Sequence, residues 1–162
     1  MYNRDDVPSE FEYPLDGLAK IQGMLTVDEI NKPNNLNLAG DAIRRVIKRG
    51  ITTNTTIGTM TKFKTHTRQY LSLGTPRDSI KVTILPHGDP PGPFSCSGDS
   101  GALIIDALFK FVALLTGGTG NTDTSDITYG TPIEWIWELI KVRFPGANLY
   151  FENIGDFFNE EE

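Results

Sequence analysis

The chain has 162 residues, 38% hydrophobic and 22% charged, a globular balance that can bury a core without disulfides or metals. Its 21 acidic and 15 basic side chains leave a formal charge of -6, which argues against a surface built to neutralise nucleic-acid phosphates. One cysteine, Cys96, excludes an intrachain disulfide, and two histidines beside it are too few for a zinc site of the usual ligands.

Residues 1–14 are acidic and carry two prolines, so they read as a loose lead-in. They lack the apolar core of a signal peptide, so an intracellular location is the default expectation. The stretch LDGLAKIQGMLTVDEINKP is broken by glycines and a final proline, which predicts short extended pieces instead of a long helix. Asn34 to Gly40 is turn-rich. AIRRVIK is apolar at Ala42, Ile43, Val46 and Ile47, a spacing that fits one or two helical turns as well as a short strand.

From Gly50 the run ITTNTTIGTMTKFKTHTRQYLSL is rich in threonine, isoleucine and aromatic residues and is punctuated by Gly58, which predicts two strands. SIKVTIL alternates at Ile80, Val82 and Ile84, a half-buried strand. PHGDPPGP cannot hold a ladder and is expected as a loop. ALIID and FVALLT are short apolar runs that read as buried strands, joined through Ala107 to Lys110 by a hairpin-length connection. GGTGNTDTSD reads as a surface loop. Pro132 then opens a helix with Ile133, Ile136, Trp137 and Ile140 on one face; Trp135 and Trp137 cannot both face the core, so one is expected in the core and the other at a contact surface. No apolar run approaches the roughly 18 residues that span a bilayer, so no membrane partner is expected. Five to seven short strands and a C-terminal helix predict an all-β domain, a sandwich or a barrel. The expected division is a lead-in over 1–40, the β-domain over 41–145 and an acidic tail over 146–162.

The segment with chemical content is Phe94-Ser95-Cys96-Ser97-Gly98-Asp99-Ser100-Gly101. Gly-Asp-Ser-Gly by itself fits an ordinary turn. Here it follows a Pro/Gly loop and runs directly into a buried strand, a setting that holds a serine hydroxyl at the edge of a rigid sheet. Over residues 41–140 the sequence resembles the chymotrypsin-like serine proteases. Val46 to Gly58 is similar to the stretch that opens the second β-barrel in many bacterial and fungal members. Leu114-Leu115-Thr116-Gly117-Gly118 is similar to the strand that pairs with bound substrate. Tyr129-Gly130-Thr131-Pro132-Ile133, with the helix after it, is similar to the end of the fold.

The resemblance implies the second, six-stranded β-barrel of that fold with a C-terminal helix. It implies Ser100 as nucleophile, with the backbone N–H groups of Gly98 and Ser100 as the oxyanion hole. Asp99 would be a buried carboxylate in need of a cationic partner. In the family that partner is often a freed chain terminus, and the sequence identifies none. Phe94 would lie near the floor of the primary pocket, and Thr116, Gly117 and Gly118 would meet an extended peptide. The absence of an acid at Phe94, and Leu115 where acid-preferring members carry histidine, imply an uncharged or small guest. Cys96 stands where many relatives have a disulfide wall.

A serine needs a base, and the base an orienting acid. About fifty residues precede the barrel-opening segment, too few for another six-stranded barrel, so the family's His and Asp are expected to be absent. His66 and His87 are the remaining candidate bases. Asp78, Asp89, Asp106, Asp123 and Asp126 read as turn-capping groups. No cofactor, metal or nucleic acid is expected. GGTG at 117–120 lacks the lysine and helix of a phosphate cradle.

Two functions follow, beside an unrelated β-domain with a chance turn. One is a serine endopeptidase-like domain, inactive alone, whose partners are a peptide or protein substrate and a chain or segment that supplies the first barrel. The other is a non-catalytic peptide-binding module. Apolar surface at the missing interface predicts a homo-oligomer.

Overall fold

A computed structural model describes residues 19–32, 35–36, 40, 42–70, 74–88, 92–120 and 127–149. The strands are β1 (Gly23–Met24), β2 (Asn35–Leu36), β3 (Ala42–Gly50), β4 (Asn54–Gln69), β5 (Arg77–Pro86), β6 (Leu103–Asp106), β7 (Lys110–Thr119) and β8 (Ile127–Pro132). The helices are α1 (Val27–Ile30) and α2 (Ile133–Arg143). Six strands close a ring in the order β3-β4-β5-β8-β7-β6, with β6 returning to β3, and every neighbour in the ring is antiparallel. Beyond Met60, β4 leaves the ring and pairs with β5 alone among the described residues. The result is an all-β, six-stranded barrel followed by a C-terminal helix, as expected.

The segment that fitted helix or strand equally well is β3. It pairs through Ile47 with Ile57 on one side and Ile105 on the other. Val46 faces the barrel interior, among Met60, Ile84, Phe94 and Ile104. Ile47 faces outward, where Ile105 and the partly buried Ala19 and Ile21 cover it. A strand buried on both faces loses its alternation, which is why its pattern was ambiguous.

The two strands predicted over 51–73 are a turn at Ile51–Thr53 and one 16-residue strand, β4. Its register shifts between Met60 and Lys64 without a break. Gly58 does not punctuate it. A methyl group there would fall 2.6 Å from Phe94 Cδ2 and 2.7 Å from Ile84 Cγ2, so glycine is needed for close packing.

Residues 1–14, expected to be loose, lie outside the described residues, while residues 19–32 pack against the barrel. β1 pairs in parallel with the start of β7. Leu25 and Ile30 enter the main core at 1% and 5% exposure. Instead of only extended pieces, this stretch holds α1, one helical turn. Thr26 Oγ1 accepts from Glu29 N at 3.2 Å, and Thr26 N donates to Glu29 Oε2 at 2.9 Å, a reciprocal cap that nucleates the turn. Hydrogen bonds from Lys110 and the Thr26 backbone hold the Glu29 carboxyl down to about 2. Arg44 ties this turn to the barrel. Its Nη2 donates to Glu29 O and Lys32 O, and its Nη1 to Asp106 Oδ2 at 2.9 Å. Asp106 also caps the β6–β7 turn, accepting from Leu108 N and Lys110 N.

Candidate functional site

The turn between the 92–97 loop and β6 is made by two successive backbone bonds. Asp99 N donates to Cys96 O at 3.1 Å, and Ala102 N to Asp99 O at 3.0 Å. Gly98 sits at φ 100°, a region where a side chain is strained. A Cβ at Gly98 would also lie 2.6 Å from Thr52 Oγ1. Gly101 N donates to Leu115 O at 2.8 Å, and Leu115 N to Ala102 O at 3.0 Å. The turn is thereby pinned to β7, and Ser100 is one residue from that contact.

Asp99 is the anchor. It is 1% exposed. Oδ1 accepts from Thr52 N at 2.8 Å and Thr53 N at 3.3 Å. Oδ2 accepts from Lys48 Nζ at 3.0 Å, Thr53 Oγ1 at 2.6 Å and Cys96 N at 3.1 Å. Burial pushes its pKa up, but the hydrogen bonds from Thr53, Lys48, Thr52 and Cys96 outweigh it and hold the carboxyl well below the usual range. Asp99 therefore stays ionised. Its cationic partner is Lys48, fully buried at the end of β3. Lys48 Nζ also donates to Thr53 Oγ1 and lies 5.7 Å from the centre of the Phe94 ring. No chain terminus is needed. The signal for Lys48 was its alternation with Val46: once AIRRVIK is a strand, both point inward, and a buried ammonium needs a carboxylate.

Ser100 is exposed on this scaffold. Its hydroxyl has no hydrogen-bond partner among the described residues, and neither Gly98 N nor Ser100 N donates to a backbone carbonyl there. Cys96 is exposed and free.

Thr116, Gly117 and Gly118 lie on β7, where one edge pairs with β8 around a bulge at Thr116. The other edge pairs with β6 through Leu114 and with the Ser100 turn through Leu115. Beyond Leu115 that second edge is unpaired among the described residues. The structure therefore brings Ser100 and residues 116–118 together at one rim of the barrel. The Thr116 hydroxyl accepts from Thr131 Oγ1 at 3.2 Å. Phe94, expected near a pocket floor, is a core residue at 0% exposure, and its carbonyl accepts from Thr56 Oγ1 at 2.7 Å. Its ring offers no open surface to a guest. Leu115 is likewise buried, at 3%.

The candidate acids and bases are placed elsewhere. Asp78 pairs with Arg68 and Asp106 with Arg44, while Asp89, Asp123 and Asp126 lie outside the described residues. Thr52 and Thr53 contact Asp99 at the near end of β4, whereas His66 lies twelve residues beyond Asn54 on that strand. His66 lines a cavity with Ile30, Ile80 and Trp135, and it makes no hydrogen bond to the Ser100 turn among the described residues. His87 follows the end of β5, half-buried.

No family model matches the chain, and no curated protein matches it. Among solved structures, a chymotrypsin from Cellulomonas bogoriensis is similar, with 21% identity and a TM-score of 0.43, over 74% of this chain and 51% of that one. The chain thus spans about half the length of that neighbour. The fold assignment rests on the strand order and closure of the barrel.

Proposed function

We propose that this barrel is a serine endopeptidase-like domain whose chemistry is acyl transfer through Ser100. The observation that carries the reading is the joint placement of an exposed Ser100, a turn locked by Lys48 and Asp99, and an open β7 edge beside it. In the reaction, Ser100 Oγ attacks the carbonyl carbon of a peptide bond and its proton passes to a base. The Gly98 and Ser100 amides stabilise the oxyanion. The amine leaves with that proton, and water hydrolyses the acyl-enzyme. A locked turn suits this role because donors fixed beforehand cost no reorganisation as charge develops, and losing one costs on the order of a hundredfold or more. Residues 116–118 hold the substrate by strand addition. The base and its orienting acid come from a chain or segment that supplies the first barrel, so this barrel alone has negligible peptidase activity.

The unpartnered Ser100 hydroxyl also favours a second reading, a peptide-binding module that uses the same open edge without catalysis. Amide NMR of the 15N-labelled chain with a peptide aldehyde bearing a small uncharged terminal side chain separates the two. Acyl transfer predicts shifts at Gly98 and Ser100 that vanish in Ser100→Ala. A binding module predicts shifts at 116–118 that survive it. No shift at any of these positions overturns both.

A further inference from the structure

Helix α2 is apolar on two opposite faces. Residues advance 100° each about a helix axis, so Ile133, Ile136 and Ile140 share one side and Trp135, Leu139 and Val142 the other. Ile133 is buried at 3%, whereas Trp135, Leu139 and Val142 are 47%, 51% and 83% exposed. The exposed stripe begins, at Trp135, in a cavity of about 420 Å3 whose lining does not include the Ser100 turn. Ile30, Ile80, Val82 and Pro132 form its apolar wall, Lys64 adds a positive charge, and His66 adds a polar ring. Lys64 makes no ion pair among the described residues. Asp78, the acid lining the cavity, is held by Arg68 at 2.6 and 2.7 Å.

We propose that residues 150–162 of this chain fold back along the Trp135–Leu139–Val142 stripe and seat an aromatic side chain in the cavity. Their sequence is YFENIGDFFNEEE: four aromatics, one isoleucine and five acids, with no basic residue. Aromatic groups match the apolar wall, and the carboxylates match the Lys64 ammonium. The segment starts near the C-terminal end of α2, just beyond the stripe. Val142 to Trp135 spans only about 10 Å of helix, and thirteen extended residues reach on the order of 40 Å, enough to return to the cavity. The acidic N-terminal segment is a poorer occupant. It joins the barrel at Ala19 and Ile21, which pack with Ile47 and Ile105 on the outer face of β3 and β6.

The test places a benzoylphenylalanine photocrosslinker at Phe158 in the full chain, followed by irradiation, intact mass and peptide mapping. The expected product is an intrachain adduct at monomer mass, mapped to 132–139 or 78–82. Its yield should fall roughly fivefold in a Lys64→Glu/His66→Glu variant, which removes the exposed ammonium and sets two carboxylates against the acidic segment. Both substituted side chains are exposed, so the barrel is expected to survive. Three results overturn the proposal: adducts scattered over the surface, an adduct at dimer mass, which assigns the stripe to a second copy, or capture of the same site by a crosslinker at Phe11 instead.

Discussion

Lys48→Met removes the only ammonium that reaches Asp99 among the described residues and keeps most of the buried volume. Both side chains of the pair are 0% exposed. Breaking a buried ion pair from one side leaves an uncompensated charge and costs about 3–5 kcal/mol. Thr52, Thr53 and Cys96 still donate to the carboxylate, which puts the expected loss near the lower end, about 3 kcal/mol. For a domain of this size that lowers the midpoint of thermal unfolding by roughly 6–12 °C. Adding Asp99→Asn removes the stranded charge, so the double variant should recover at least about 1 kcal/mol over Lys48→Met. The sign with pH is fixed by the depressed Asp99 pKa. Its stabilisation is fully present above the unfolded value near 4 and is lost as pH falls through the folded value. Wild type should therefore lose more stability than Asp99→Asn below about pH 4. Urea unfolding of the variants at pH 7 and pH 3 measures all of this. Lys48→Met within about 0.5 kcal/mol of wild type, or a double variant no better than the single, refutes the anchoring role.

Gly98→Ala meets both a positive φ and the Thr52 hydroxyl at 2.6 Å. It should cost about 1–3 kcal/mol and displace the Ser100 turn, read by urea unfolding and by the Ser100 amide shift. Ser100→Ala sits at an exposed site and should change unfolding free energy by less than about 0.5 kcal/mol. Gly58→Ala crowds Phe94 and Ile84, and calorimetry should show a loss of about 1–3 kcal/mol from overpacking. Arg44→Met strands Asp106 and frees the carbonyls of Glu29 and Lys32. It should cost about 3 kcal/mol and release α1, seen as faster amide exchange at Ile30 and Asn31.

Much of the barrel could be read from short apolar runs. LIID of ALIID is β6, FVALLT lies within β7 and SIKVTIL within β5, and the helix starts at Ile133 behind Pro132. These segments bury one consistent set of side chains, so local pattern and tertiary environment agree. β3 was ambiguous because the lead-in covers its outer face, a contact that local pattern does not encode. β4 looked like two strands because Gly58 reads locally as a break, whereas it is kept small by Phe94 and Ile84, which meet it only in the folded barrel. α1 was legible in principle, since Thr26-Val27-Asp28-Glu29 spells a capping box. The Ser100 turn was legible because its glycines and aspartate form a local unit. Its anchor was not, because Lys48 is 51 residues away in sequence and becomes a partner only when β3 and the turn meet in the barrel.

The most direct measurement is labelling of the folded chain with a fluorophosphonate probe in the presence of imidazole as a supplied base, read by intact mass and peptide mapping. The account predicts an adduct on Ser100 that forms slowly without imidazole, forms faster as imidazole is added, and is lost in Ser100→Ala. An equally folded chain that shows no Ser100 adduct at any imidazole concentration, or that labels other serines at the same rate, contradicts the account.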